Sequence, residues 1–170
     1  MSHADPAFRK PCFQGVLRAH EKISAILPST PLKRCEIAGR TIWCKAESLQ
    51  PIGAFKLRGA WHRLTDLSDR ERKAGVVAFS SGNHAQGVAW AAARLGMAAT
   101  ILIPRDAPKL KIDATRSLGA EIILFDRMTE DRAAMAAYIA AERGAALVPS
   151  YDDPWIIEGQ GSAGLEALDQ

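Results

Sequence analysis

Two short segments carry side chains able to do covalent or anion chemistry. The first runs Gln50-Pro-Ile-Gly-Ala-Phe-Lys-Leu-Arg-Gly-Ala60, and its Lys56 stands among Ile52, Ala54, Phe55 and Leu57. Apolar surroundings disfavour the ammonium form, so such a lysine is pushed toward the free amine. A free amine attacks a carbonyl to form a Schiff base, and Phe55 beside it can stack on a flat ring. The alternative is a lysine that snorkels from a helix with its charge in water. The second segment is Ser80-Ser-Gly-Asn-His-Ala-Gln-Gly87, between an apolar run and an Ala-rich stretch. Open α/β sheets collect ligands there, at the carboxyl ends of their strands. Free amides at a helix start suit an anion, and Ser81 and Asn83 add donors. The alternative is a plain capped turn, with Ser or Asn as the cap and Gly82 easing the bend.

Other phosphate and metal motifs fail. Gly82 and Gly87 have the glycine spacing of a P-loop, but Val88 and Ala89 replace its Lys and Ser/Thr, and no GxGxxG occurs. ATP and NAD readings lose their main support. The four histidines are dispersed and no HExxH is present.

The elements that must position these residues are legible from Gly75 onward. Gly75–Phe79, Ala98–Ile103, Glu121–Phe125 and Ala145–Val148 are short apolar runs that predict strands. Between them, Asn83–Leu95, Pro108–Leu118 and Met128–Arg143 predict helices, each followed by a glycine suited to the left-handed cap. Apolar strands alternating with helices predict an open parallel α/β sheet covered on both faces. Before it, Pro11–Leu27 predicts a helix, Ser29–Leu32 a turn or extended link, Thr41–Ala46 a strand and Phe55–Leu67 a helix. After it, Pro154–Gln170 predicts a helix that runs to the last residue without a terminating glycine, which predicts a piece of something longer.

Bulk composition narrows the class. The chain has 170 residues, 48% hydrophobic and 24% charged, with a net charge of +3. Those values fit a globular protein with a core. The basic residues are scattered and only 6% are aromatic, which argues against a nucleic-acid footprint. No apolar stretch approaches the roughly 20 residues of a membrane span, and the N-terminal MSHADPAFRKPCFQ lacks a signal core. Cys12, Cys35 and Cys44 form no CxxC, so the cytoplasm is the expected compartment.

Taken together, the two segments resemble the fold-type II pyridoxal-phosphate enzymes, in particular the threonine/serine dehydratase (ammonia-lyase) and serine racemase group. Thr30-Pro31-Leu32, Lys45-Ala-Glu47, Gly53–Ala60, Ser80–Gly87, Ile103-Pro104, Lys109–Lys111, Gly119-Ala-Glu121, Pro149–Pro154 and Gly159-Gln-Gly-Ser162 follow one another in family order. The resemblance runs from about Phe13 to the last residue. It implies that Lys56 carries pyridoxal phosphate through its amine and later moves the Cα proton. Phe55 would pack on the pyridine ring and Asn83 would bond its 3′-oxygen. Ser81, Gly82, Asn83 and His84 would hold the substrate carboxylate. Ser81 would also be the opposite-face base if the protein racemises. The implied reaction is β-elimination from L-threonine or L-serine to a 2-oxo acid and ammonia. Serine racemase, hydroxyaspartate dehydratase and a non-catalytic amino-acid-binding module on the same scaffold remain alternatives.

The resemblance also divides the chain. Residues 53–148 would be the small domain, while 1–52 and 149–170 would belong to an incomplete larger one. Ala54 stands where the family often has Ser. The family's glycine-rich phosphate loop, and its Ser or Cys facing the pyridine nitrogen, have no counterpart in these 170 residues. Weak cofactor binding, no measurable turnover and a tendency to associate are therefore expected of the chain alone. An amino acid substrate, no nucleic acid, no membrane and, at full length, a homo-oligomer are the expected partners.

Overall fold

The computed structural model describes residues 9–170. The first eight residues, part of the N-terminal stretch discussed above, lie outside the described residues. Helix α1 (Phe13–Ser24) leads into a hairpin of β1 (Leu32–Ile37) and β2 (Arg40–Lys45), then a 3-10 turn at Glu47–Leu49. Helices α2 (Lys56–Thr65) and α3 (Asp69–Ala74) follow. The α/β part alternates β3 (Val76–Phe79), α4 (Asn83–Arg94), β4 (Ala99–Pro104), α5 (Lys109–Ser117), β5 (Glu121–Phe125), α6 (Arg132–Arg143) and β6 (Ala146–Leu147), and α7 (Pro154–Leu168) closes the chain.

The four strands from β3 onward form the expected parallel sheet, in the order β5-β4-β3-β6. Side chains alternate across it, as the two-residue strand period requires. Val76, Ala78, Ile101 and Ile103 join the core on the α4 side, and Val77, Leu102 and Phe125 meet Ala136 and Ala140 of α6 on the other. Both faces are covered, which explains why the strands read as unbroken apolar runs. Gly96, Gly119 and Gly144, just past α4, α5 and α6, all take positive φ.

Helix α2 is the hub of the flanking helices. Its Leu57, Ala60 and Leu64 are fully buried in the same apolar cluster as Ala19 and Ile23 of α1 and Ile156 of α7. It crosses α7 at glycine: a Cβ on Gly159 would stand 2.6 Å from the Cα of Gly59 and 2.7 Å from the Arg58 carbonyl oxygen. Among the described residues no helix is long and apolar enough to cross a membrane.

Two local expectations need correction, and one helix was not expected. Ser29–Leu32 does not simply link to one strand; Leu32 starts β1, which pairs antiparallel with β2 through Ala38 and Gly39, both at positive φ. The hairpin is mostly exposed, so no buried face imposed an apolar alternation on Leu-Lys-Arg-Cys-Glu-Ile. The polar helix α3 had no apolar stripe to betray it. Its signal is a capping box: Ser68 Oγ accepts from the Glu71 amide at 3.3 Å, and the Glu71 carboxylate accepts from the Ser68 amide at 2.8 Å. Helix α6 starts at Arg132 rather than Met128, because Asp131 caps it by accepting from the amides of Ala133 and Ala134.

Candidate functional site

The sheet order fixes where a ligand can sit. Strands β4 and β5 step away from β3 on one side, and β6 returns on the other. The carboxyl ends of β3 and β6 therefore flank a topological switch point, the usual crevice of an open α/β sheet. The 80–84 turn leaves the end of β3, and residues 148–150 leave the end of β6. Helix α2 brings Lys56 to the same place. The Lys56 amine donates to the Ser150 carbonyl at 3.0 Å, and His84 Nε2 lies 3.1 Å from the Val148 carbonyl. The first turns of α2 and α4 also touch: a Cβ on Gly87 would stand 3.1 Å from the Lys56 carbonyl carbon and oxygen. Lys56 and the Ser81–His84 turn are thus neighbours.

Burial holds the Lys56 amine below the usual lysine range. No carboxylate pairs with it among the described residues, so no opposite charge opposes that push. Burial also drives His84 down to about 4; the Lys56 charge adds to the effect and the Val148 carbonyl opposes it. His84 is therefore neutral near pH 7. A carbonyl can only accept, so Nε2 carries the proton and Nδ1 is a bare acceptor. That buried Nδ1 has no partner among the described residues.

The turn is not a side-chain-capped one. Gly82 occupies the N-cap of α4, and no side chain caps the helix. Ser80 Oγ instead accepts from the Gly82 amide at 3.2 Å. Among the described residues the side chains of Ser81 and Asn83 have no hydrogen-bond partner, so both stay available beside the first-turn amides of α4. Phe55, 40% exposed, lies with the Lys56 amine 5.3 Å from its ring centroid.

The flanking charges come from later βα units. Ser80 and Ser81 line a cleft of about 260 Å³ together with Arg127 and Arg132. Arg127 is paired to Asp106 at 2.8 Å. Arg132 stacks over Phe79, 5.4 Å from its centroid, and pairs with no carboxylate among the described residues. The Lys111 amine lies 3.8 Å from where a Gly82 Cβ would be. Neither Arg132 nor Lys111 was assigned a role from sequence, and neither was Ser150. Their places depend on helix orientation and strand order rather than on local spacing.

Comparison with known proteins gives a consistent result. The family model described as pyridoxal-phosphate dependent enzyme matches residues 23–170. The L-threo-3-hydroxyaspartate ammonia-lyase of Pseudomonas sp is 44% identical over 161 residues, which cover 92% of this chain and 50% of the relative. The L-threonine ammonia-lyase of Thermotoga maritima is 48% identical over 134 residues, 79% of this chain and 33% of the relative. Among solved structures, maize serine racemase superposes with a TM-score of 0.89 at 34% identity, covering 95% of this chain and 50% of that one. The first relatives agree that the chain spans about half their length.

Pyridoxal phosphate asks for an amine at its aldehyde, a polar group at its ring oxygen and a face for its ring. Among the described residues Lys56 has no carboxylate partner and the Asn83 amide side chain is unengaged, and Phe55 presents an exposed ring. These residues fit that end of the group. A glycine-rich cradle for the phosphate is not found in the 170 residues.

Proposed function

We propose, from the premise that this chain belongs to the family of pyridoxal-phosphate dependent enzymes, that it serves the dehydration and deamination of L-threonine or L-serine to a 2-oxo acid and ammonia. The observation that carries this is a partly desolvated lysine amine that, among the described residues, has no carboxylate partner and is set against an uncapped helix start with unengaged Ser and Asn side chains. A non-catalytic binding module would need only the second of these. Residues 53–148, which contain the whole parallel sheet, are taken as the small domain of such an enzyme, with 1–52 and 149–170 as parts of the larger one. A cytoplasmic setting agrees with the unpaired thiols of Cys12, Cys35 and Cys44.

In this reading Lys56 holds the cofactor, Phe55 packs on its ring and Asn83 bonds its ring oxygen. When bound, the cofactor supplies an electron sink at the substrate Cα. The Lys56 amine takes the Cα proton, and a lowered lysine pKa suits that role near neutral pH. The backbone amides of Ser81, Gly82, Asn83 and His84, with the Ser81 hydroxyl, hold the substrate carboxylate. His84, being neutral, adds no competing charge and fixes the turn to Val148. Ser81 is the candidate opposite-face base for a racemase.

A second reading, 3-hydroxyaspartate as substrate, is favoured by one feature. The cleft beside Ser81, lined also by Glu130 and Asp131, holds Arg132, which pairs with no carboxylate among the described residues, and a side-chain carboxylate would supply one. The test of the primary reading is chemical trapping. Pyridoxal phosphate is added, then borohydride, and the labelled peptide is mapped. Label on Lys56, lost in Lys56→Ala, is the expected result; label spread over other lysines overturns the reading.

A further inference from the structure

Several of the sequence motifs have no part in the site. Thr30, Lys45, Glu47, Arg58 and Ser162 come from four separate motifs, yet the fold gathers them into one buried cluster around the Arg58 guanidinium. Arg58 is fully buried. Its Nε and Nη2 donate to the two oxygens of Glu47 at 2.7 and 2.8 Å. Its Nη1 and Nη2 donate to the two oxygens of Glu166 at 2.8 and 2.9 Å, and Nη1 also reaches Ser162 Oγ at 3.2 Å. All five N–H groups of the guanidinium are used. Around them, Thr30 Oγ1 donates to Glu47 at 2.5 Å and the Lys45 amine pairs with Glu166 at 2.8 Å.

Two facts give this cluster a purpose beyond cohesion. Helix α2 opens at Lys56 with no side-chain cap, Phe55 at its N-cap being unable to provide one. An uncapped first turn frays, and Lys56 is that turn's first residue. Arg58, two residues on, ties the same turn to α7 and to the segment after the hairpin through two bidentate carboxylates. A buried ion cluster is also an inefficient source of stability, since apolar replacements of similar volume often do as well or better. It does, however, fix orientation.

We propose that Arg58 is a positioning residue: its clamp between Glu47 and Glu166 holds the first turn of α2 so that the Lys56 amine faces the Ser81–His84 turn. This rests on Lys56 being the aldehyde-reactive lysine, and the experiment separates the two claims. The chain is labelled with pyridoxal phosphate and borohydride over a series of pH values, and the rate at Lys56 is compared with the mean rate at exposed lysines. The variants are Arg58→Lys, the charge-balanced Glu47→Gln/Arg58→Met, which leaves Glu166 paired with Lys45, and Glu166→Gln, which keeps its shape and one acceptor. Circular dichroism and thermal melting identify which of them fold. In a folded variant we expect at least a tenfold fall in the Lys56 preference for either Arg58 replacement, and a smaller fall for Glu166→Gln. The pH at which Lys56 becomes reactive should also move up toward that of the exposed lysines. Arg58 variants that do not fold are set aside, and Glu166→Gln then decides. A folded variant labelled at Lys56 at the wild-type rate and pH overturns the positioning role. A wild-type chain that shows no Lys56 preference overturns the underlying functional reading instead.

Discussion

Two groups of polar side chains lie within one helical turn of each other on α2, and they are finished to different degrees. Around Arg58 the donors and acceptors match: two carboxylates and a hydroxyl use every guanidinium N–H, and a second cation, Lys45, pairs with Glu166. Around Lys56 they do not. The amine has a single carbonyl, His84 Nδ1 is buried without a partner among the described residues, and α4 starts without a side-chain cap. Buried polar groups are normally satisfied; His84 Nδ1, like His20 Nδ1, His62 Nδ1 and the Gln160 amide elsewhere, keeps its bonding capacity open. The pKa directions follow. Burial pushes Glu166 up, but the hydrogen bonds and charges of Arg58 and Lys45 overcome it and hold the carboxyl at about 2. Lys56 has no such partner among the described residues, and burial moves it down.

The sharpest way to break this contrast is to cut each group at its centre. Arg58→Met leaves the buried Glu166 and the half-buried Glu47 without their main partner, which costs about 3–5 kcal/mol. Urea unfolding should show an unfolding free energy lower by that amount, or no folded state. Lys56→Ala removes a side chain whose one polar contact is a backbone carbonyl, and the stability change should stay within about 0.5 kcal/mol. Equal effects from the two substitutions would erase the distinction between a structural and a chemical cluster.

Acid tests the same contrast with the chain unaltered. His84 in the site and His62, buried beside Glu158 with Lys22 and Asp66 nearby, are both held at about 4, burial being the first cause in each. A histidine whose folded pKa lies below its unfolded value of roughly 6.5 takes up a proton on unfolding. Its contribution is therefore complete above about pH 6.5 and is lost as pH falls toward 4. Glu166 acts lower: its contribution is present above the ordinary carboxylate range and disappears as pH falls toward 2. Unfolding midpoints should thus decline in two stages, the upper one taking up about two protons. Exchanging both histidines for glutamine should flatten the upper stage and leave the lower; a decline confined to pH below 4 would contradict the neutral state of His84.

How much of this was legible in the sequence depends on what each residue answers to. Strands β3 to β5 and their helices were readable because both faces of the sheet are buried and the apolar runs are unbroken. Lys56 and the 80–87 turn were readable because their chemistry is local. The β1 strand and α3 were not, since neither buries a face that would mark its period; α3 showed only Ser68 and Glu71 at capping-box spacing. The convergence of Thr30, Glu47, Arg58 and Ser162 was invisible for another reason. Each sits in a motif that the resemblance picked out, but their meeting depends on α7 crossing α2 at Gly59 and Gly159, a contact between residues one hundred apart. Arg132 and Lys111 reach the site through strand order, which no local pattern encodes.

That crossing and the α2–α4 contact offer a finer cut between the two groups. A Cβ on Gly159 would lie 2.6 Å from the Gly59 Cα, with backbone on both sides and no flexible side chain to yield. Gly159→Ala should cost about 1–3 kcal/mol, as overpacking does, and loosen the Arg58 cluster. A Cβ on Gly87 meets the Lys56 carbonyl at 3.1 Å, a contact that a shift of a few tenths of an ångström relieves. Gly87→Ala should therefore leave the melting temperature nearly unchanged while slowing aldehyde labelling of Lys56. The two readouts would move in opposite proportion in the two variants.

The smallest effect is expected where neither group reaches. Ala38 takes φ 50° at the first central position of the β1–β2 turn, with Gly39 at φ 72° after it. Two consecutive positive values define the hairpin turn that favours Asn-Gly, because alanine's Cβ is strained there. Ala38→Asn should relieve that strain and add about 0.5 kcal/mol, a typical gain for correcting one surface turn. The hairpin is largely exposed and joins the rest through Lys45 and the segment leading to Glu47. Lys56 labelling should consequently be unaffected. A change in that labelling would mean that the hairpin is coupled to α2 through Lys45 and Glu47 more tightly than the fully paired Arg58 cluster implies.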